Sequence, residues 1–382
     1  MSYDFLDTVE AEVISFVNQL SVAQLGKKVV FHTDTDFPDL SQVKIALLGV
    51  YENRGNAKQT SFDLVEFRKH FYAMYPGNWE FQWADLGNIQ PGLELSDTYY
   101  AVTEIVSQLL KDGVYPIIIG GSQDLTYPIY RAFDIFEQMV NLVAIDYKLD
   151  IGKESSQITA DSYMSGIVLT PPFNLLNFSN LGYQTYYNAQ EEIDLVDKLY
   201  FDAYRLGEVS HQISMAEPVL RDADIVSVDL LSVKSSDSRS PLHFMPNGFT
   251  GKEICVLTRY AGISEKVRVF SIFNVSGQQE EAVLLSQMVW YFLEGYQYRR
   301  NEHPHLNPNT FLRFIVPVDN EELIFYKSTL TERWWMEVPN FHHLSNKGKR
   351  NALLPCSKEE YLKACDQEIP ERWWKAQRKT LA

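Results

Sequence analysis

The stretch Leu142-Val143-Ala144-Ile145-Asp146-Tyr147-Lys148-Leu149-Asp150 joins an unbroken apolar run to a charged end. Ile117-Ile118-Ile119-Gly120-Gly121-Ser122-Gln123-Asp124 and Ile225-Val226-Ser227-Val228-Asp229-Leu230-Leu231-Ser232-Val233-Lys234 are built the same way. Apolar runs without polar alternation suit strands buried on both faces, as in a parallel sheet covered by helices. In such sheets the ligand crevice lies beyond the carboxy ends of the strands, where these polar clusters fall. Working outward, Val43–Val50 is another central strand, followed by a polar loop over residues 51–60 that contains Gly55. Val102, Ile105, Val106, Leu109 and Leu110 recur at helical spacing, and Lys111-Asp112-Gly113 stops that helix before residues 115–119 resume as a strand. Val283, Leu284, Met288 and Phe292, with Trp290 alongside, predict a long helix over residues 280–296. Strands alternating with helices imply an α/β fold: three layers around a doubly wound, mainly parallel sheet.

The three clusters resemble, in order and spacing, the metal-binding motifs of the arginase, agmatinase and formimidoylglutamase (ureohydrolase) family. Those motifs read Gly-Gly-Asp-His-Ser, Asp-Ala-His-x-Asp and Ser-x-Asp-x-Asp-x-x-Asp-Pro, and they supply two His and four Asp to a pair of Mn²⁺ ions. Here Gln123 stands at the first ligand His, and Lys148 at the second, between the retained Asp146 and Asp150. In the third motif Asp229 remains and Leu231 replaces an Asp. Leu125-Thr126-Tyr127-Pro128 is similar to the family's helix start, Pro246-Asn247-Gly248-Phe249-Thr250 to its Pro-Gly-Gly-Leu-Thr loop, and Asn274 to the Asn of its Glu-x-Asn-Pro. The Glu of that motif, which holds the substrate amidine, would fall at Ile272, and a further His near Ser165. The resemblance covers about residues 43–293 and implies an arginase-like fold, with this chain a divergent, formimidoylglutamase-like member whose metal motifs are degenerate.

The chain has 382 residues, 45% of them hydrophobic, enough for a large core. A formal charge of −16 argues against nucleic acid or an anionic membrane as the main partner. The amino-terminal residues Met1-Ser2-Tyr3-Asp4-Phe5 carry no basic lead into an apolar core, and no later run is long enough to span a bilayer. A cytoplasmic protein with no membrane insertion is expected. Cys255, Cys356 and Cys365 match no zinc spacing and read as reduced, buried thiols.

Three parts are expected: a helical amino-terminal extension (residues 1–42, with Phe5, Val9, Val13 and Phe16 on one face), the arginase-like domain (43–300) and a carboxy-terminal extension (301–382). The turn-rich His303-Pro304-His305-Leu306-Asn307-Pro308 marks the second boundary. Two Arg-Trp-Trp triplets, at Arg333 and Arg372, suit packing of the extension onto the core or a contact with a protein partner or second copy. The pairs His303/His305 and His342-His343 read as loop histidines. Ser122, Ser165 and Ser227 lack a base at triad spacing, and Gly120-Gly121 lacks the Gly-Lys-Ser/Thr of a phosphate loop.

In the family's site a pair of dications activates a bridging water. With three carboxylates left and an ammonium at position 148, two dications would be under-ligated and repelled. The expectation is therefore no resident cofactor, and an ion-pair cluster of Asp146, Lys148, Asp150 and Asp229, with Asp124 or Gln123 completing its hydrogen bonds. Two alternatives stand beside it. Asp146 and Asp150 cap a loop while Lys148 points to solvent, or a single Mn²⁺ or Mg²⁺ sits on Asp146, Asp150 and Asp229, with or without Asp124. Functionally these correspond to a non-catalytic binding, regulatory or assembly protein, and to a metal-dependent hydrolase of linear amidines. A third reading makes Lys148 the base or anion hook of another small-molecule site.

Overall fold

The computed structural model describes residues 3–56, 62–136, 138–152, 157–339 and 352–381. Ten strands among them form one sheet: β1 (Leu6–Asp7), β2 (Val30–Phe31), β3 (Val43–Val50), β4 (Gln82–Ile89), β5 (Tyr115–Gly120), β6 (Val140–Ile145), β7 (Leu175–Tyr183), β8 (Asp202–Arg205), β9 (Ile225–Asp229) and β10 (Val269–Phe273). Their order is β1-β4-β3-β5-β10-β9-β6-β7-β8, with β2 also on β4. Every pairing is parallel except β1 with β4. The strands predicted from Val43–Val50 and from the three apolar runs are β3, β5, β6 and β9.

Residues on these strands alternate between two apolar layers. Ile117, Ile119, Val143 and Ile145 face the layer of Phe67, Phe71, Leu257, Leu285 and Met288. Ile118, Leu142 and Ala144 face Val102, Ile105, Leu109, Ile129 and Tyr163. Both faces are thus covered by helices, which explains why the runs carry no polar alternation. The predicted helices span Leu95–Lys111 and Gln279–Gln297. The first begins at a capping box, in which Glu94 and Asp97 satisfy each other's backbone N–H groups.

The amino-terminal segment departs from its helical reading. Among its described residues Ala11–Gln19 is α-helical and Leu25–Lys27 forms a 3₁₀ turn; Phe5 lies outside both, and β1 and β2 pair with β4. An open edge of β4 offers backbone hydrogen bonds that outweigh a short stretch of helical spacing. Arg68 then locks this edge. Fully buried, it grips Asp85 through Nε and Nη2 at 2.8 and 2.9 Å, and its Nη1 reaches Glu10 Oε2 and Asn88 Oδ1, each at 2.9 Å.

Beyond residue 300 a second, antiparallel sheet appears that the sequence reading did not foresee: β11 (Phe311–Val318), β12 (Glu321–Ser328), β13 (Trp334–Val338) and β14 (Ala352–Cys356). The helices Lys358–Cys365 and Glu371–Leu381 accompany it. Trp334, Trp335 and Trp373 are buried, and Trp374 is partly exposed. The join to the main body runs through Arg221. Its Nη2 donates to the carbonyls of Trp334 (3.0 Å) and Cys356 (3.2 Å), while its guanidinium lies 4.3 Å from the Trp335 ring centroid. Cys255 and Cys356 are buried as expected; Cys365, on the helix surface, is exposed, a correction to that reading. His342 and His343 lie outside the described residues. Among those described, no helix is long and apolar enough to cross a membrane.

Removing one partner from a buried ion pair leaves an uncompensated charge. Arg68→Ala is therefore expected to cost about 3–5 kcal/mol, measured as a fall in the urea unfolding midpoint.

Candidate functional site

Because β5, β10, β9 and β6 are neighbours, their carboxy ends bring the three sequence clusters to one place. Gly120 and Gly121 make this possible. A Cβ on Gly121 would fall 1.4 Å from the Glu52 carbonyl oxygen, so only glycine lets the chain pass so close to the end of β3. The crossing is tied by Gly121 N–H to Val50 O (2.9 Å) and Asn274 N–H to Gly121 O (2.7 Å).

Asp146 at the end of β6 and Asp229 at the end of β9 use the same local device. Asp146 Oδ1 accepts from the backbone N–H of Lys148 (2.9 Å), and Asp229 Oδ1 from that of Leu231 (2.8 Å). A carboxylate bonding the N–H two residues on turns the chain sharply. The loop after β6 is pinned further by Asn180, which donates to the Lys148 carbonyl at 2.6 Å, and by Asn188, whose Oδ1 receives the Leu149 N–H at 2.8 Å. Asp150 sits there with a left-handed backbone, φ 51°.

Asp146, Asp150 and Asp229 are all buried and interact with one another. Burial and then the neighbouring carboxylates push Asp146 well above the usual carboxylate range, and burial followed by the Asp229 charge does the same to Asp150. Asp229 is pushed up to about 6 by burial, against the hydrogen bond from Asn274. Asp150 and Asp229, with Gln123, Lys148, Leu231 and Asn274, line a cavity of about 360 Å³. Asp161, Tyr187, Leu242 and His243 add to its walls.

The expected ion-pair cluster is corrected on two counts. Lys148 Nζ lies 2.5 Å from Asp161 Oδ1 and makes no ion pair with Asp146, Asp150 or Asp229. The reason is local: the Lys148 backbone, not its ammonium, serves Asp146, and the turn sends the side chain past the Tyr147 ring, 5.4 Å from its centroid. Against the opposing effect of burial, Asp161 first and the more distant charges of Asp150 and Asp146 after it raise the lysine's pKa. Nor does Asp124 join the three. Its Oδ2 accepts from Tyr99 at 2.5 Å, and its other oxygen lies against Gly55. Gln123 does line the cavity, yet its Nε2 donates to Ser227 Oγ (2.9 Å) and its Oε1 receives no hydrogen bond. Leu231 packs with Tyr147, Met245 and Leu242 in a small apolar cluster. Ile272, buried on β10, offers the cavity no carboxylate, and Ser165 donates to the Gly152 carbonyl at 2.8 Å.

Sequence reasoning missed Asp161, Asn180, Asn188 and the pair Tyr147/Tyr187, whose rings meet edge-on at 5.2 Å. Of these, only Tyr147 adjoins a recognised motif position. Among the described residues, no group of three His, Cys, Asp or Glu is arranged to hold a metal ion.

With this geometry in hand, the model of the Arginase family matches residues 58–283, more than half of the sequence. The chain belongs to the arginase family. An uncharacterised 32.2 kDa protein of Methanothermus fervidus is 28% identical over 108 residues, a match spanning 27% of this arginase-family chain and only 36% of that protein. Among solved structures, Trypanosoma cruzi formiminoglutamase with Mn²⁺ superposes with a TM-score of 0.61 at 18% identity, covering 69% of this chain and 100% of the other. Bacillus subtilis formimidoylglutamase gives 0.61 at 14%, covering 70% and 94%. Agmatine ureohydrolase of Thermoplasma volcanium gives 0.57 at 16%, covering 75% and 98%. At such identities the superpositions establish the shared fold.

Two stability measurements probe the site. An exposed ion pair contributes about 0–1 kcal/mol, so Lys148→Met should shift the melting temperature little, whereas Asp146→Asn removes one of three crowded carboxylates and should raise it at neutral pH. A large loss in Lys148→Met would place its ammonium among the aspartates after all. Glu281, behind the loop that follows Asn274, accepts the Ser276 N–H at 2.6 Å and is pushed by burial from 4.5 up to about 7. A carboxyl raised in the fold favours its neutral form, so this strain is absent below about 4.5 and complete above about 7. Stability should fall as pH rises through that window, and Glu281→Gln should flatten the fall by up to ~3 kcal/mol in denaturant titrations.

Proposed function

We propose that this arginase-family protein is non-catalytic and works as a binding, regulatory or assembly protein through the cavity at the carboxy ends of β5, β6 and β9. One observation carries the reading: each of the three side chains at a replaced ligand position has a partner of its own, and only the Gln123 Oε1 is left over. Gln123 is bonded to Ser227, Lys148 is paired with Asp161, and Leu231 is packed among apolar neighbours. Two dications bring four positive charges, while the retained carboxylates supply at most three negative ones beside a leucine. The donor set does not fit such a pair, and no hydrolytic step is derived through it.

A single Mn²⁺ or Mg²⁺ on Asp146, Asp150 and Asp229 is the alternative, supported by the Mn²⁺ named with the Trypanosoma cruzi relative. It would make the chain a hydrolase of linear amidines. A partner or second copy would meet the carboxy-terminal extension, where Leu312, Ile315 and Leu330 are exposed. The free thiols of Cys255, Cys356 and Cys365 suit the reducing cytoplasm.

Elemental analysis of the full-length protein after equilibration with Mn²⁺ and gel filtration should find less than stoichiometric metal. Assays with formimidoylglutamate, agmatine and arginine should release neither formamide nor urea. Manganese-dependent turnover of any of them would overturn the proposal.

A further inference from the structure

We infer that the cavity takes a primary alkylammonium ligand, its –NH₃⁺ group seated where Asp150, Asp229 and the Oε1 of Gln123 converge. This rests on the reading above that no pair of metal ions occupies the same floor.

The floor is rich in acceptors and poor in free donors. Gln123, which lines the cavity and is 1% exposed, has given one Nε2 hydrogen to Ser227, and its buried Oε1 is left without a donor. Asn274 serves Asp229, and the Lys148 ammonium is committed to Asp161. Asp146, fully buried behind the floor beside the Asp150 carboxyl, has an Oδ2 that no described N–H group reaches. A buried acceptor without a donor is costly, and two such acceptors, the Gln123 Oε1 and the Asp146 Oδ2, beside the Asp150 and Asp229 carboxylates call for a compact cation with several hydrogens. An alkylammonium has three N–H donors and no acceptor.

The walls choose among cations. Leu231 and Leu242 are apolar, and Tyr187 stands edge-on to Tyr147, so a short hydrocarbon chain behind the charged head would lie against them. A cavity of about 360 Å³ is far larger than a single ion and falls at the small end of organic-ligand sites. A planar guanidinium wants a bidentate carboxylate. The position where the family resemblance calls for one is Ile272, buried in β10. Acceptors arriving separately from β5, the loop after β6 and β9 suit the three-way ammonium instead.

The test is calorimetric titration of the full-length protein with n-butylammonium, n-butanol, n-butylguanidinium and tetramethylammonium, each with and without Mn²⁺. One-to-one binding of n-butylammonium is expected. The alcohol, which lacks the charge, and tetramethylammonium, which lacks the N–H groups, should each be weaker by about tenfold or more. Gln123→Met keeps the volume and removes the acceptor together with the bond to Ser227, which retains Thr126, and it should weaken n-butylammonium by about tenfold in a protein that still unfolds cooperatively. Asp229→Asn should weaken it further. Equal binding of alcohol and amine, equal or tighter binding of the guanidinium, or no binding of the amine would overturn the inference. The non-catalytic reading fails separately, through manganese-dependent turnover, so a metal-free, inactive protein that ignores the amine sinks this inference alone.

Discussion

Taking a carboxylate out of water is expensive, and this fold does it three times in one place. Asp146, Asp150 and Asp229 stand at the ends of two adjacent parallel strands, and the sheet fixes how near they are. A charged group so placed must find hydrogen bonds, a counter-ion or a proton. Backbone N–H groups two residues further on satisfy one oxygen each of Asp146 and Asp229. That economy shapes the two turns and the direction of every side chain that follows. The glycine crossing beneath β3 and the asparagines from β7 and the loop beyond it serve the same arrangement, by holding the turns where the strands deliver them.

The same turns explain why the three non-ligand side chains form a coherent set. Once the backbone of Lys148 serves Asp146, its long side chain is free to reach Asp161 across Tyr147. With Leu231 in an apolar pocket beside Tyr147 and Met245, that side of the cavity becomes hydrocarbon, while the floor stays acidic. Polar floor and oily wall together are the ordinary make-up of a small-molecule site. The family's architecture is retained at identities where little but the fold need be shared.

Much of the sheet was legible in the sequence because β3, β5, β6 and β9 are covered on both faces, which leaves uninterrupted apolar runs that end in polar residues. The convergence of Gln123, Asp146, Asp150 and Asp229 followed from that, since strand ends are where such clusters must lie. The direction of Lys148 was not legible: sequence places its Cα near the aspartates, but a four-carbon stem can go either way, and Asp161 lies thirteen residues on in a loop without periodicity. Asp124 misled for the opposite reason, being adjacent to a motif position yet turned by a short 3₁₀ segment toward Tyr99. The second sheet escaped notice because β11 mixes Arg313 and Pro317 with its apolar residues, and the paired tryptophans signalled packing without saying against what. At the amino terminus, helical spacing across Phe5 and Val9 was real but lost to pairing with β4.

Arg221 gives the appended sheet a meaning beyond decoration. Its guanidinium has left water to cap two carbonyls and the face of one ring, all of which belong to the appended sheet. Strip that sheet away and the guanidinium keeps Glu217, 3.1 Å from its Nε, but loses both carbonyls and the ring that cover its outer face. The seam is therefore two-sided: the main body anchors the cation through Glu217, and the appended sheet supplies the acceptors that let it leave water.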